Sequence, residues 1–266
     1  MKYGFHLSIA GRLGIANAAE EAQRLGLSAM QIFAKSPRSW KTRSLKPGEV
    51  EGFRARKENL GGLPTVVHAS YLVNLAAEGE LGQKSVFSLA DDLAKAQALG
   101  AEYVVVHPGS GLAEKARAAA LRALELAQLG KNGPRLLLEN TAGGGEKLGA
   151  RLATLAQIIE GTRLGVCFDT CHAFAAGYQL EAALDELEQT IGLDRVPVIH
   201  LNDSLGEQGS QIDHHANLME GRIGPALRRF ALDARLGDKV FIMETPRGPR
   251  EDAHNLRVLR EWLAIT

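Results

Sequence analysis

The feature that most constrains this chain is a regular alternation along its length. Short β-branched, apolar runs keep giving way to Ala/Leu/Glu/Arg-rich segments with helical spacing of their apolar positions. That alternation predicts βα units and a parallel sheet. Strands are expected over 3–9, 29–34, 65–68, 103–107, 135–140, 164–169, 196–202 and 239–245. The helices between and after them are expected over 14–25, 47–60, 83–99, 112–129, 152–159, 180–191, 225–232 and 252–264. Gly26, Gly100 and Gly130 stand where a left-handed residue closes a helix, and Pro47 suits a first turn. The count is about eight units, the number that closes a barrel. An open doubly wound sheet competes, but it uses fewer strands and a Gly-rich turn after the first one. Here Ser8-Ile9-Ala10-Gly11 follows instead. The expected fold is a single α/β domain over 1–266, a (β/α)8 TIM barrel with parallel strands and its active site at the C-terminal face.

A chain of 266 residues suits one such barrel. The formal net charge is +0, so no global field argues for nucleic acid or a membrane. No apolar run approaches about 18 residues and no signal-type segment leads the chain, which predicts a cytoplasmic protein. Cys167 and Cys171 flank Asp169 and could be metal ligands. A lone Cys-x-x-x-Cys pair is a weak zinc signal, and packing inside the fold is the better reading.

In a parallel barrel the C-terminal ends of all strands meet on one face, so the residue at each end matters. The third strand ends in His68, the fourth in His107 and the fifth in Glu139. The sixth ends in Asp169, with His172 three residues on. The seventh ends in His200, with Asp213 and His215 in the loop beyond it, and the eighth ends in Glu244. Any one of these histidines is more often a satisfied polar residue than a ligand. As a set, imidazoles and carboxylates crowded on one rim would repel or stay desolvated, and no Lys or Arg stands at those six ends. Metal cations would neutralise them. Nine donors are too many for one tetrahedral zinc and suit two or three ions sharing a bridging carboxylate. The His-rich donor set favours zinc or manganese over magnesium.

Other residues weigh less. His6, in the first strand, could face the site or be a buried structural histidine. His254, on the last helix, is expected in solvent. His214 points away from its neighbours if the backbone there is extended. Gly143-Gly144-Gly145 could cradle a phosphate or let the rim open. No Ser/His/Asp or Cys/His nucleophile arrangement is present.

With these residues assembled, the chain resembles the endonuclease IV family of apurinic/apyrimidinic endonucleases over essentially its full length. The resemblance rests on VHASYLVNLA at 67–76, VVHPGS at 105–110, LLENTAGGG at 137–145 and CFDTCHAFAAGY at 167–178. It continues in HLNDSLGEQGSQIDHHANLMEGRIG at 200–224 and ETP at 244–246. It implies a trinuclear zinc site, with Mn2+ an alternative at one or more positions. His68, His107 and Glu139 would hold the first ion. Glu139 would bridge to a second, held also by Asp169, His200 and Glu244. His172, Asp213 and His215 would hold the third. The implied reaction is hydrolysis of the phosphodiester 5′ to an abasic site in duplex DNA, leaving a 3′-hydroxyl and a 5′-deoxyribose phosphate. Glu139 and Glu244 would be its catalytic carboxylates, and the enzyme a monomer with no membrane partner. Tyr71 and Leu72 match the family's wedge residues and Arg38 its minor-groove arginine. Arg38 lies in KSPRSWKTR, where Lys35, Lys41 and Arg43 complete a basic patch fit for phosphate contacts. Two departures stand out: His214 replaces an Arg, and LMEG at 218–221 replaces IGEG. A metal-dependent sugar isomerase or epimerase and a non-catalytic lesion binder are the competing readings.

Overall fold

The computed structural model describes residues 1–264. Eight strands close a parallel barrel: Lys2–Leu7, Met30–Phe33, Thr65–His68, Tyr103–Val106, Arg135–Glu139, Gly165–Asp169, Val198–His200 and Val240–Met243. Each pairs with its neighbours in chain order, and the first closes on the last through Lys2↔Val240 to Phe5↔Met243. Gly4 permits the close approach of the first strand to the chain entering the second: a Cβ there would lie 1.9 Å from the Ala29 carbonyl oxygen. The expected (β/α)8 barrel is therefore the observed fold.

Side-chain alternation along the strands divides the interior in two. Outward residues such as Phe5, Ile32, Val67, Val104, Leu138, Phe168 and Phe241 pack under the helices. Inward residues Ala29, Val66, Val105, Leu137, Cys167, Val198, Val240 and Ile242 form a separate buried plug. Burying each larger member of that plug stabilises the barrel by about 1.5–3 kcal/mol. One step further along each strand, the period of two brings an inward residue to the C-terminal mouth. Val66 is thus followed by His68, Val105 by His107, Leu137 by Glu139, Cys167 by Asp169, Val198 by His200 and Ile242 by Glu244. The apolar plug is the floor on which the polar rim stands.

Helix ends depart from expectation in a few places. Gly26 (φ 65°) and Gly100 (φ 69°) are left-handed caps, but Ala113–Ala127 ends earlier than Gly130, on Gln128 at φ 48°. Helix Gly79–Leu99 starts a turn before the expected 83, because Gly79 and Gly82 carry no periodic signal. Helix Pro249–Ala264 starts at its proline, which needs no N–H partner there. Helix Thr170–Ala175 and a two-residue antiparallel ladder, Asp203–Ser204 with His215–Ala216, are too short for sequence periodicity to reveal. That ladder folds the loop after the seventh strand back across the barrel mouth. Among the described residues, no helix is long and apolar enough to cross a membrane.

Candidate metal centre at the barrel mouth

Eight of the nine residues, all but Asp213, converge into three overlapping groups. His68, His107 and Glu139 form one; Glu139, Asp169, His200 and Glu244 the next; Asp169, His172 and His215 the third. Within each group the potential ligand atoms lie within 4.8 Å of one another. Glu139 belongs to two groups and is fully buried. Its Oε2 is 3.2 Å from His68 Nε2 and 3.1 Å from His107 Nε2, while its Oε1 is 3.0 Å from His200 Nδ1. Glu244 Oε2 approaches the same His200 Nδ1 at 3.2 Å. Asp213 stands at the outer edge, its Oδ1 3.1 Å from His172 Nε2 and 3.4 Å from His215 Nε2. Asp169 is thus an additional member of the third group, shared with the second as Glu139 is shared between the first two.

Local structure explains these positions. Asp169 is the N-cap of helix Thr170–Ala175, its Oδ1 accepting the His172 amide at 2.7 Å, and that single turn carries His172 into the cluster. Asn140 brackets Asp169, donating to its carbonyl and accepting from its amide. Asn202 donates to Asp169 Oδ2 at 2.7 Å and accepts the Glu244 amide at 2.8 Å. The ladder holds His215 so that its Nδ1 donates to the Glu244 carbonyl at 3.1 Å.

The imidazole tautomers follow from the fixed partners behind the rings. His68 donates from Nδ1 to the Ala69 carbonyl and His172 from Nδ1 to the Asn140 carbonyl. A carbonyl can only accept, so each of these rings, like His215, turns an Nε2 lone pair toward carboxylate oxygens. Lone pairs facing lone pairs repel unless a proton or a metal lies between them. The Nε2 atoms of His172 and His215 are buried without a hydrogen-bond partner, although Asp213 lies close by. Ring nitrogens fixed from behind by carbonyls and left open in front are the usual arrangement of metal-bound histidine. The residues present therefore fit a cluster of cations. The field points the same way. Burial pushes the His172 imidazole down, yet Asp169, Asp213 and Glu139 together raise it well above the ordinary histidine value. His200 is raised likewise against its burial. Burial favours a protonated Asp213, but His172 and His215 hold it down at about 2. Carboxylates that draw protons onto imidazoles this strongly would draw metal ions in their place.

The residues expected at a DNA surface border this mouth. Tyr71 is exposed, and its ring sits edge-on to Phe33, with centroids 5.3 Å apart, and 5.3 Å from the His68 ring. Leu72 beside it is half-buried, and Arg38 is exposed. The Pro37 carbonyl accepts from the Tyr71 amide and the Ser70 hydroxyl, so the Arg38 and Tyr71 loops are tied together. The basic patch is smaller than expected. Lys35 is buried, its Nζ 2.7 Å from the Ser88 carbonyl and 3.1 Å from both Asp91 and Asp92, because the chain turns it under helix Gly79–Leu99. Arg43 is held by Glu49 through two hydrogen bonds, which leaves Arg38 and Lys41 facing solvent.

The remaining expectations divide. His6 does face the cluster, its Nδ1 3.2 Å from Glu244 Oε1. His254 is half-buried rather than in solvent, donating from Nε2 to the Leu218 carbonyl at 2.9 Å, because the 200–224 loop lies over its helix. Cys167 and Cys171 are buried free thiols, and burial pushes both up to about 12. His214 is exposed and stands in none of the three groups. Gly143, Gly144 and Gly145 all take positive φ in a tight turn where the Gly144 carbonyl accepts the Lys147 amide. Sequence reasoning missed Gln31, Asn140 and Asn202, three buried amides whose only signal is a polar residue inside or just beyond an apolar strand. A cavity of about 670 Å³ lies beside the cluster, between the ends of the first, second and eighth strands. None of the nine residues lines it; they stand at the open mouth, where Asp213 is half-exposed.

The closed βα barrel agrees with the family model that matches residues 19–264, that of the xylose isomerase-like TIM barrels. Within that class the chain belongs to the endonuclease IV family and is a nuclease, hence a hydrolase. It is 64% identical to the endonuclease 4 of Thermus thermophilus across 98% of each chain. It is 41% identical to a probable endonuclease 4 of Chloroflexus aurantiacus across 97% of each. The crystal structure of endonuclease IV from Thermus thermophilus matches it with a TM-score of 0.97 at 62% identity, covering all of both chains. A D-tagatose 3-epimerase-like protein, at TM-score 0.78 and 24% identity, shares the fold alone.

Proposed function

We propose that this protein is a DNA repair endonuclease that hydrolyses the phosphodiester 5′ to abasic sites in duplex DNA, leaving a 3′-hydroxyl and a 5′-deoxyribose phosphate. The observation that carries the reading is the set of three overlapping ligand groups joined through Glu139 and Asp169. Three zinc ions fit that set: one at His68, His107 and Glu139; one at Glu139, Asp169, His200 and Glu244; one at His172, Asp213 and His215 with Asp169 beside them. Zinc bound there would supply Lewis-acid neutralisation of phosphoryl charge and lower the pKa of water toward neutrality. The chain's own groups do the rest. Glu139 holds two ligand groups at a fixed separation, and Glu244 orients the attacking water. Arg38 contacts the backbone, and Tyr71 and Leu72 fill the gap left by the missing base. Extrusion is cheap at such a site, because no base pair has to be broken. The open mouth suits a polymer better than the small enclosed pocket a sugar isomerase requires. The 266 residues would act as one domain, monomeric and cytoplasmic.

The test is incision of an end-labelled duplex carrying one abasic analogue. The expected product is a nick 5′ to the lesion whose 3′ end a polymerase extends. Glu244→Gln should bind this duplex nearly as wild type while cutting at a rate reduced by about 10³-fold or more, the loss usual for a group that acts on the reacting atoms. Wild-type turnover in that variant, or protein that binds without ever nicking, would refute the assignment.

A further inference from the structure

Gln31 stands on the second strand, two residues beyond the plug residue Ala29, and is wholly buried. It faces the interior at the level of the ligands, where an apolar side chain would extend the plug. A buried primary amide is costly unless its carbonyl and both N–H groups find partners. Two of its partners belong to the cluster and the third, His6, faces it. Its Oε1 lies 2.8 Å from His200 Nε2, and its Nε2 lies 2.6 Å from Glu244 Oε1 and 2.9 Å from His6 Nδ1. An ionised carboxylate only accepts, so the amide nitrogen must face Glu244. The amide oxygen then faces His200 and only accepts, which puts the proton on His200 Nε2. His200 Nδ1 is left as a lone pair between Glu139 Oε1 and Glu244 Oε2.

We infer that Gln31 is a positioning residue of the metal centre, setting His200 in the tautomer that presents Nδ1 and holding Glu244 toward the same ion. The inference rests on the reading of the nine residues as metal ligands. One amide thereby orients two ligands of the middle group, and its second N–H is taken up by His6. Partners of this kind, behind the ligands, tune metal affinity by about 10–100-fold.

Gln31→Met keeps the length and volume of the side chain and removes both hydrogen-bonding ends. The test uses the full-length, zinc-loaded protein, titrated with a chelator while metal per chain is measured. In Gln31→Met, one ion should leave at a chelator concentration about tenfold lower or more, the others leaving as in wild type. The downfield ring N–H proton resonance of His200 should move upfield, and kcat should fall with KM within about twofold. An unchanged chelator profile with an unchanged His200 resonance would overturn the inference. So would loss of all ions together with a lower melting temperature of the metal-free protein, the mark of a merely structural amide. If Gln31→Met does not fold, Gln31→Ala, which leaves room for water, is read by the same criteria. Wild-type protein that binds no metal would overturn the functional reading itself; metal-loaded wild type with an indifferent Gln31→Met overturns this step alone.

Discussion

Tyr71 is 53% exposed, directly beside the buried His68, and an aromatic ring held there can stack on or wedge beside a base. Stacking of this kind is worth about 1–3 kcal/mol. Tyr71→Ala should therefore weaken binding to an abasic duplex by roughly tenfold while changing binding to intact duplex much less. Equal losses on both, in a titration at one salt concentration, would contradict a wedge. Met219 makes a different single-residue prediction. It takes φ 66° with its side chain 41% exposed, at the position where the IGEG pattern carries glycine. A left-handed conformation costs a non-glycine residue about 1–2 kcal/mol, and an exposed methionine recovers little of that by packing. Met219→Gly should raise stability by about 0.5–1 kcal/mol, after the extra chain entropy of glycine is deducted. A urea midpoint that falls would show that Met219 makes a contact worth more than its backbone strain.

At the scale of elements, the tie between the second strand's loop and helix Gly79–Leu99 sets a pH dependence. Lys35 reaches under that helix to Asp91 and Asp92. Burial pushes the Asp92 carboxyl up to about 6, outweighing the pull of Lys35, and its Oδ1 has no hydrogen-bond partner. An unfolded Asp titrates near 3.9, so the folded protein binds this proton more tightly. The contribution to stability is fully present below about pH 4 and is lost as pH rises through about 6, by roughly 2–3 kcal/mol. Asp92→Asn lacks that loss, so its stability relative to wild type should climb between pH 4 and about 6.5. Urea unfolding of both proteins across that range checks it, and a flat difference would contradict it. The same scale shows what could be read beforehand. The barrel is legible because β-branched runs alternate with helical spacing, and the convergence of the rim residues because each continues the inward phase of its strand's alternation. His68, Glu139 and Asp169 are the last residues of their strands. Gln31 obeys the same rule above Ala29 but leaves no signal in a tally of ionisable groups, since a neutral amide carries no charge to count. Lys35 misled because a loop lysine reads as solvated until a helix from elsewhere covers it. Helix Thr170–Ala175 was hidden by its shortness, although Asp169 before it is a recognisable N-cap.

The whole molecule divides its labour between a dry barrel and a charged mouth. The plug and the helices' inner faces hold eight strand ends in fixed register, and four carboxylates with five imidazoles are gathered there without a Lys or Arg among them. Without metal, protons on the imidazoles have to balance those carboxylates, so metal binding at this mouth should couple to proton release and to folding. Zinc held at 100 times its dissociation constant would stabilise the fold by about 2.7 kcal/mol per independent site, and stripping it should lower Tm by several degrees. With a formal net charge of +0, attraction for DNA has to come from local groups, which under the proposed function are Arg38, Lys41 and the metals that would be bound. Under the proposed function the cluster would be both the chemical centre and the main electrostatic contact. The most direct measurement is the metal content of purified protein by elemental analysis, set beside incision of an abasic duplex before and after stripping. The account predicts close to one ion for each of the three ligand groups, with incision that disappears on chelation and returns with zinc. A single ion per chain supporting full incision, or incision that survives complete removal of metal, would contradict it.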